Sequence, residues 1–253
     1  MSGVVTGTQE KIAQLRVVLA SADAPQKRIP LGLARLDEIL SGGLKCGALH
    51  EIFGVASHEG AAAGFVAGLV ARLGGPVLWI AQDYSLLEYG DLAATGLLEL
   101  GLNPEHLVLL RVPDMASALR AAMDALSCTA LRVVVIEVVG EHKLLGPVAY
   151  RKLVLAAGES GVTPLLLRFS ASPSIGVVET RWQIRAAPSA LDNPWGRPVF
   201  LADLQRNRSG RCGCWVLEWS GDDGAFHPAD YRSVVSASVD GPIVSVLAEV
   251  SAA

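Results

Sequence analysis

Several features that would place this chain at once are missing from it. No window approaches the roughly 18 uninterrupted apolar residues of a membrane span, although 51% of the 253 residues are hydrophobic and the mean hydropathy is +0.40. The start, MSGVVTGTQEKIAQL, has no basic segment followed by an apolar block, so no secretion signal is expected and the cytoplasm is the expected compartment. There is no basic excess: 21 Lys and Arg stand against 25 Asp and Glu, for a net charge of −4 and a pI near 5.7. That balance argues against a nucleic-acid binder at the level of the whole chain. Of the four cysteines, Cys46 and Cys128 stand alone in apolar surroundings and read as small core residues. Cys212 and Cys214 form a C-x-C with no second Cys or His pair at ligand spacing, so no metal site is expected. His50, His58, His106, His142 and His227 are scattered, with no i, i+4 pair and no adjacent Ser or Cys nucleophile pattern. They read as surface or loop histidines, and no catalytic residue is predicted.

What is present is an alternation of strands and helices. Thr8–Leu19 predicts a short amphipathic helix with Ile12, Leu15, Val18 and Leu19 on one face, followed by the proline-bearing linker SADAPQKRIPLG. From Ile29 onward, strands are predicted at Leu49–Phe53, Pro76–Ala81, Leu107–Val112, Arg132–Val138 and Thr163–Phe169. Helices are predicted at Ala61–Leu73, Leu86–Gly101, after a capping Asp114, and at Val148–Gly161. Continuous apolar strands between helices imply crossover units and a mostly parallel sheet covered on both faces. After about Thr180 the pattern changes. Arg181–Ala187, Val199–Arg206 and Cys214–Trp219 alternate without an intervening helix, which predicts an antiparallel meander. The last segment is mixed, with one further strand expected at Ile243–Leu247. The expected organisation is a helix and linker over 1–28, an α/β core over 29–179, and a meander and tail over 180–253, in the same domain or as a small appendix.

The stretch EIFGVASHEGAAAGFVAGLVARL, Glu51–Leu73, has the outline of a phosphate-binding loop opening a helix. Such a loop cradles phosphates with backbone N–H groups, neutralises them with a lysine, and holds magnesium with a Ser or Thr. Here the loop from Gly54 to Gly60 is one residue longer than G-x-x-x-x-G-K-[ST]. Ala61 and Ala62 stand at the lysine and hydroxyl positions, and Glu59 adds a negative charge. Each missing charge-assisted contact is worth about 1.5–3 kcal/mol, so neither ATP nor magnesium is expected and no cofactor is predicted. Gly54, Gly60, Asp83 at the end of the second strand, Glu137 near the end of VVVIEVV and Ser170 after the strand that follows it mark where a nucleotide site would lie in such a sheet. Asp83 and Glu137 read either as a metal-activating acid pair or as polar strand ends facing a crevice.

One basic cluster stands out. Arg206, Arg208 and Arg211 fall in LQRNRSGRCGCW, with Arg181, Arg185 and Arg197 in the same meander. A hairpin of this kind offers contacts to a phosphate backbone, or it is a solvated tip, since Glu218, Asp222 and Asp223 follow. Trp182, Trp195, Trp215 and Trp219 crowd the same region and form either a local core or an anchor for a partner.

With these residues in view, the chain resembles the RecA recombinase core. IPLGLARLDEILSGGLKCGALHEIFG, Ile29–Gly54, is similar to the RecA approach to its phosphate loop, with a G-x-x-x-L-D-x-x-L-x-G-G-L run. VLWIAQDYSL is similar to the strand carrying the catalytic glutamate, with Asp83 at that position. VVVIEVV resembles the Walker B strand, with Glu137 at the position of its aspartate. ETRWQIRAAPS (Glu179–Ser189), the NPWGRP turn and the run from Leu204 to Trp219 resemble more closely the ImuA family, RecA/SulA-like components of damage-inducible mutagenesis cassettes. The resemblance covers roughly Ile29–Trp219. It implies a RecA-like fold and SOS-induced translesion DNA synthesis together with an ImuB-like inactive Y-family polymerase homologue and an error-prone DnaE-type polymerase. RecA is a further partner it allows, and docking of the N-terminal helix on a neighbour would give self-association. On this reading the chain is a non-catalytic accessory subunit, with Arg181, Arg206, Arg208, Arg211, Trp182, Trp215 and Trp219 as DNA or partner contacts. Two readings compete: an ATPase that remodels recombinase filaments through an unorthodox site at Gly54, Asp83 and Glu137, and a SulA-like inhibitor of cell division.

Overall fold

A computed structural model describes residues 27–54, 56–173, 176–189 and 196–229. The helix expected at Thr8–Leu19, the strand expected at Ile243–Leu247, and Trp195 lie outside the described residues. A two-residue strand, β1 (Arg28–Ile29), pairs antiparallel with β2 (Leu44–Lys45) around the short helix α1 (Ala34–Ile39). Asp37 of α1 accepts from the backbone N–H groups of Leu31 (2.6 Å) and Gly32 (3.2 Å), so the L-D of the RecA-like run fixes the turn that enters the helix.

The main sheet has nine strands. They are β3 (His50–Gly54), β4 (Val77–Gln82), β5 (Leu107–Val112), β6 (Val133–Val139), β7 (Thr163–Phe169), β8 (Thr180–Ala186), β9 (Val199–Asn207), β10 (Gly213–Ser220) and β11 (Ala225–Pro228), in the order β11-β10-β9-β8-β3-β7-β6-β4-β5. Strands β3 to β8 are parallel to their neighbours among themselves, while β8/β9, β9/β10 and β10/β11 are antiparallel. The helices between them are α2 (Glu59–Leu73), α3 (Asp83–Tyr89), α4 (Ala94–Glu99), α5 (Met115–Leu126) and α6 (Pro147–Ser160). The α/β class, the parallel sheet and the antiparallel C-terminal strands agree with the sequence reading.

Three details differ. The helix predicted over Leu86–Gly101 is two helices, because Gly90 ends α3 with φ +85 and the chain restarts at Ala94. β8, predicted to open the antiparallel meander, is instead a parallel neighbour of β3 on one edge and antiparallel to β9 on the other. Its alternation reflects one covered face: Trp182 and Ile184 are buried, whereas Gln183 is half-buried and Arg185 exposed. Period two reports a half-open face and does not by itself report strand direction. The third is β11, which the sequence reading passes over; it buries Phe226.

Two apolar layers enclose the sheet. On one face α2 buries Ala62, Phe65, Val66, Leu69, Val70 and Leu73 against Trp79, Trp182, Phe200, Trp219 and Phe226. Phe65 meets Trp182, Phe200 and Phe226 with ring centroids 5.2–5.8 Å apart, and Trp219 meets Phe226 at 4.7 Å. On the other face α5 and α6 bury Met115, Leu126, Tyr150 and Leu153 against Ile80, Val134, Ile136 and Leu166. Asp114 caps α5 by accepting from Ser117 N at 2.7 Å, as its position predicts. The described part of the C-terminal segment shares this one sheet with the residues before it, through β8 against β3.

Candidate functional site

In an open parallel sheet, ligands collect at the carboxyl ends of the strands. At that end β3 stops at Gly54 and α2 begins at Glu59. A Cβ placed on Gly54 would lie 3.0 Å from Glu59 Cα, 3.2 Å from the Phe169 ring and 3.3 Å from Ala62 Cβ. Gly54 therefore serves the close approach of helix to strand. A Cβ on Gly60 would meet nothing within 4 Å. Glu59 is the first residue of α2, so the partial positive charge of the helix start already faces a carboxylate of its own chain.

Beside this turn lies a cavity of about 290 Å³ lined by Glu59, Gly60, Asp91, Arg111, Glu137 and Phe169, among others. Two carboxylates, Glu59 and Asp91, thus stand at the space a nucleotide's phosphates would need. The single guanidinium, Arg111, is already joined to Asp91. Aromatic rings fill another part of the region: Tyr89 packs on Phe169 with centroids 4.9 Å apart, and its hydroxyl hydrogen-bonds Ser170 Oγ at 2.9 Å.

Glu137 lines the cavity but its carboxylate is bound inward. It accepts from Trp79 Nε1 at 2.8 Å and from the Ser85 hydroxyl. Burial raises its pKa above the ordinary carboxylate value, and the bonds from Ser85 and Trp79 oppose that rise. Asp83 does not join it. Asp83 is the exposed first residue of α3 and does not line this cavity, so the suggested acid pair is not assembled around a common space. Trp79, Ser85, Tyr89, Asp91 and Arg111 belong to this end of the molecule and were not singled out from the sequence. No spacing rule points to them, because they come from two strands and a broken helix. Among the described residues no group of three or more His, Cys, Asp or Glu gathers to hold a metal ion, and no helix is long and apolar enough to cross a membrane.

The residues expected to meet DNA or a partner divide sharply. Arg206, Arg208 and Arg211 are exposed on and beside the β9–β10 turn. Trp215 is half-buried. Trp182 and Trp219, in contrast, are 0% and 1% exposed, and Trp219 Nε1 donates to Leu100 O at 3.0 Å. Both are core residues, because rings of that size fill the space under α2. Arg181 is also interior. Its Nε donates to Glu51 at 2.6 Å, and Glu51, fully buried on the neighbouring strand, also holds Arg168 Nη1 at 3.4 Å and the Tyr150 hydroxyl. Two guanidiniums and a phenol around one carboxylate form a polar knot joining β7, β3, β8 and α6. Removing its acid would leave buried charge uncompensated.

The other residues of the T-R-W segment are engaged in the same joint. Trp182 Nε1 donates to Thr180 Oγ1 at 2.8 Å, and Thr180 Oγ1 lies 2.7 Å from His50 Nδ1. His50 Nε2 lies 2.8 Å from the Lys45 carbonyl, which can only accept, so Nε2 carries the proton and Nδ1 accepts from the threonine hydroxyl. Burial holds the His50 pKa down at about 4. His50 is therefore a neutral structural histidine of the interior, not a surface or loop one. The segment that most specifically carries the family resemblance is thus a set of contacts locking β8 onto β3.

No protein-family model matches the chain. Protein ImuA of Caulobacter vibrioides, from strain NA1000 / CB15N and again from strain ATCC 19089 / CIP 103742 / CB 15, is 34% identical to it over 70% of this chain and 77% of the relative. By this similarity, the chain belongs to the ImuA family.

Proposed function

We propose that the chain is a non-catalytic, RecA-like accessory subunit of an error-prone translesion DNA synthesis complex. It works beside an ImuB-like inactive Y-family polymerase homologue and, through it, a DnaE-type polymerase. The observation that supports the non-catalytic part is the cavity at the strand ends. Glu59, Asp91 and Glu137 line it, alanines stand where a lysine and a hydroxyl are needed, and its one guanidinium is paired with Asp91. Bringing a triphosphate against Glu59 and Asp91, with no unpaired cation among the described lining residues, would oppose binding where a phosphate loop usually favours it. Membership of the family supports the role in damage-induced mutagenesis. Partner contact is assigned to the exposed side of the β9–β10 hairpin and to the chain beyond Ala229.

Two measurements test this. Titration with a fluorescent ATP analogue should give no saturable binding at micromolar concentration; saturation there would favour the filament-remodelling ATPase instead. Co-purification with the ImuB homologue should be lost when the chain is cut after Ala229, a position that keeps β11 and the buried Phe226 intact. Retention of the partner by that truncated chain would refute the assignment of the contact to the tail.

A further inference from the structure

The amino ends of the parallel strands carry a second cavity, of about 410 Å³, on the far side of the sheet from the Gly54 turn. Its charged lining is Lys27, Lys45, Arg132, Arg208 and Glu179. Glu179, the only carboxylate among the described lining residues, is 7% exposed and already engaged: Lys45 Nζ lies 3.5 Å from it and Arg28 Nη2 3.9 Å. Lys27, Arg132 and Arg208 have no carboxylate partner among the described residues. The Arg132 guanidinium donates to Cys46 Sγ at 3.4 Å, a weak acceptor. His50, next to Lys45, is held neutral and adds no charge. The C-terminal end of α6 reaches the same cavity through Gly158 and Gly161 and brings about half a negative charge, which the unpaired cations outweigh. In a protein of net charge −4, such a concentration of unmatched cations needs a counterpart.

The shape of the positive region indicates what that counterpart is. Arg208 sits at the start of the β9–β10 turn, and Arg206 and Arg211, both exposed and without a carboxylate partner among the described residues, flank it. The exposed arginines thus continue from Arg208 in the cavity wall onto the adjoining hairpin. Among the described residues no aromatic side chain lines the cavity to stack a base. We infer that the amino-end cavity, with the β9–β10 hairpin beside it, is a binding site for the phosphate backbone of a single nucleic-acid strand, without base recognition. This site shares the β9–β10 hairpin with the proposed partner contact but uses neither the tail nor the ImuB homologue, so a chain cut after Ala229 should still bind the strand even where it loses the partner.

The test is fluorescence anisotropy of a labelled oligo-dT strand of about 20 nucleotides with the full chain, across a range of salt. Binding of the wild type should weaken steeply with salt. The double variant Lys27→Gln/Arg208→Gln should lower affinity by about tenfold and flatten the log–log salt slope by about 1.4, roughly 0.7 for each phosphate contact on a single strand. Arg132→Gln should act in the same direction. Neither residue of the double variant forms an ion pair among the described residues, and an unchanged melting temperature shows the fold is kept. Lys143→Gln, which removes one exposed charge outside this cavity, should change affinity less than about twofold. A wild type that does not bind, or a double variant indistinguishable from it, would overturn the inference. So would displacement of the strand by oligo-glutamate at equal charge concentration, which would identify an acidic peptide as the ligand. Displacement by inorganic pyrophosphate at equal phosphate concentration would reduce the site to one for isolated phosphates and would also overturn it.

Discussion

At the carboxyl end of the parallel strands, Glu59 and Asp91 stand at a cavity lined also by Phe169, Tyr89 and Glu137, whose carboxyl is bound inward. At the amino end, Lys27, Lys45, Arg132 and Arg208 face a cavity with one carboxylate that is already paired. In most open α/β sheets the first of these ends takes the anionic ligand, because helix N-termini converge there and the loops after the strands supply cations. Here the backbone arrangement of that end is kept while its side chains reverse the field. The positive field at the opposite end comes from side chains alone, against the sense of the helix dipoles. The difference shows that a fold fixes where backbone dipoles point but leaves the sign of each end to a handful of side chains.

The two ends can be told apart by acid, because each holds a buried titratable group with a shifted pKa, His50 and Glu137, and the two respond with opposite sign. His50, below the amino-end cavity, has a folded pKa of about 4 against 6.5. Its unfolded form takes up a proton first, so the stability it contributes is full above pH 6.5 and is lost as pH falls towards 4. The difference corresponds to about 3 kcal/mol. A His50→Gln variant should start less stable at pH 7 and lose less on acidification. Parallel melting curves of the two proteins through that window would sink the idea. Glu137, at the carboxyl end, is raised by burial. Its folded form takes up a proton first, so its contribution is complete below the unfolded value and is lost as pH rises through the folded one. Glu137→Gln should therefore match or exceed the wild type by a few degrees at neutral pH, and the wild type should gain on it as pH falls. A wild type that loses ground to the variant on acidification would show that Glu137 is instead held ionised.

The sheet, its order of helices and strands and the capped helix at Asp114 were legible because continuous apolar strands and 3.6-residue stripes are local signals. The degenerate loop was legible as well, since Ala61 and Ala62 need no structure to be seen as lacking charge. Three things were not. Arg181 looked like part of a basic surface, because sequence cannot show that Glu51, 130 positions away, lies 2.6 Å from it on the next strand. Trp182 and Trp219 looked available to a partner until their packing against Phe65 and Phe226 was seen. The amino-end cavity draws Lys27, Lys45, Arg132 and Arg208 from four separate segments, each unremarkable alone. Sign and burial of a charge are properties of its neighbours across the sheet, and those neighbours are distant in the chain.

The smallest expected effects concern the two glycines at the turn from β3 into α2. In a working loop both are needed so that backbone N–H groups can approach phosphate. In this chain their roles separate. Gly54 is confined by Glu59 Cα at 3.0 Å, a backbone atom that cannot swing aside, and Gly54→Ala should lower stability by about 1–3 kcal/mol through overpacking. Gly60 lies in the first turn of α2, its φ is not positive, and a Cβ there meets nothing. Replacing it with alanine removes the backbone freedom that glycine retains in the unfolded chain, so Gly60→Ala should raise stability by up to about 0.5–1 kcal/mol. The measurement is chemical denaturation of both variants alongside the wild type. If Gly60→Ala proved as harmful as Gly54→Ala, the open space above Gly60 would have to be occupied in solution, and the contrast between an emptied carboxyl end and a charged amino end would fail at the residue where it is easiest to check.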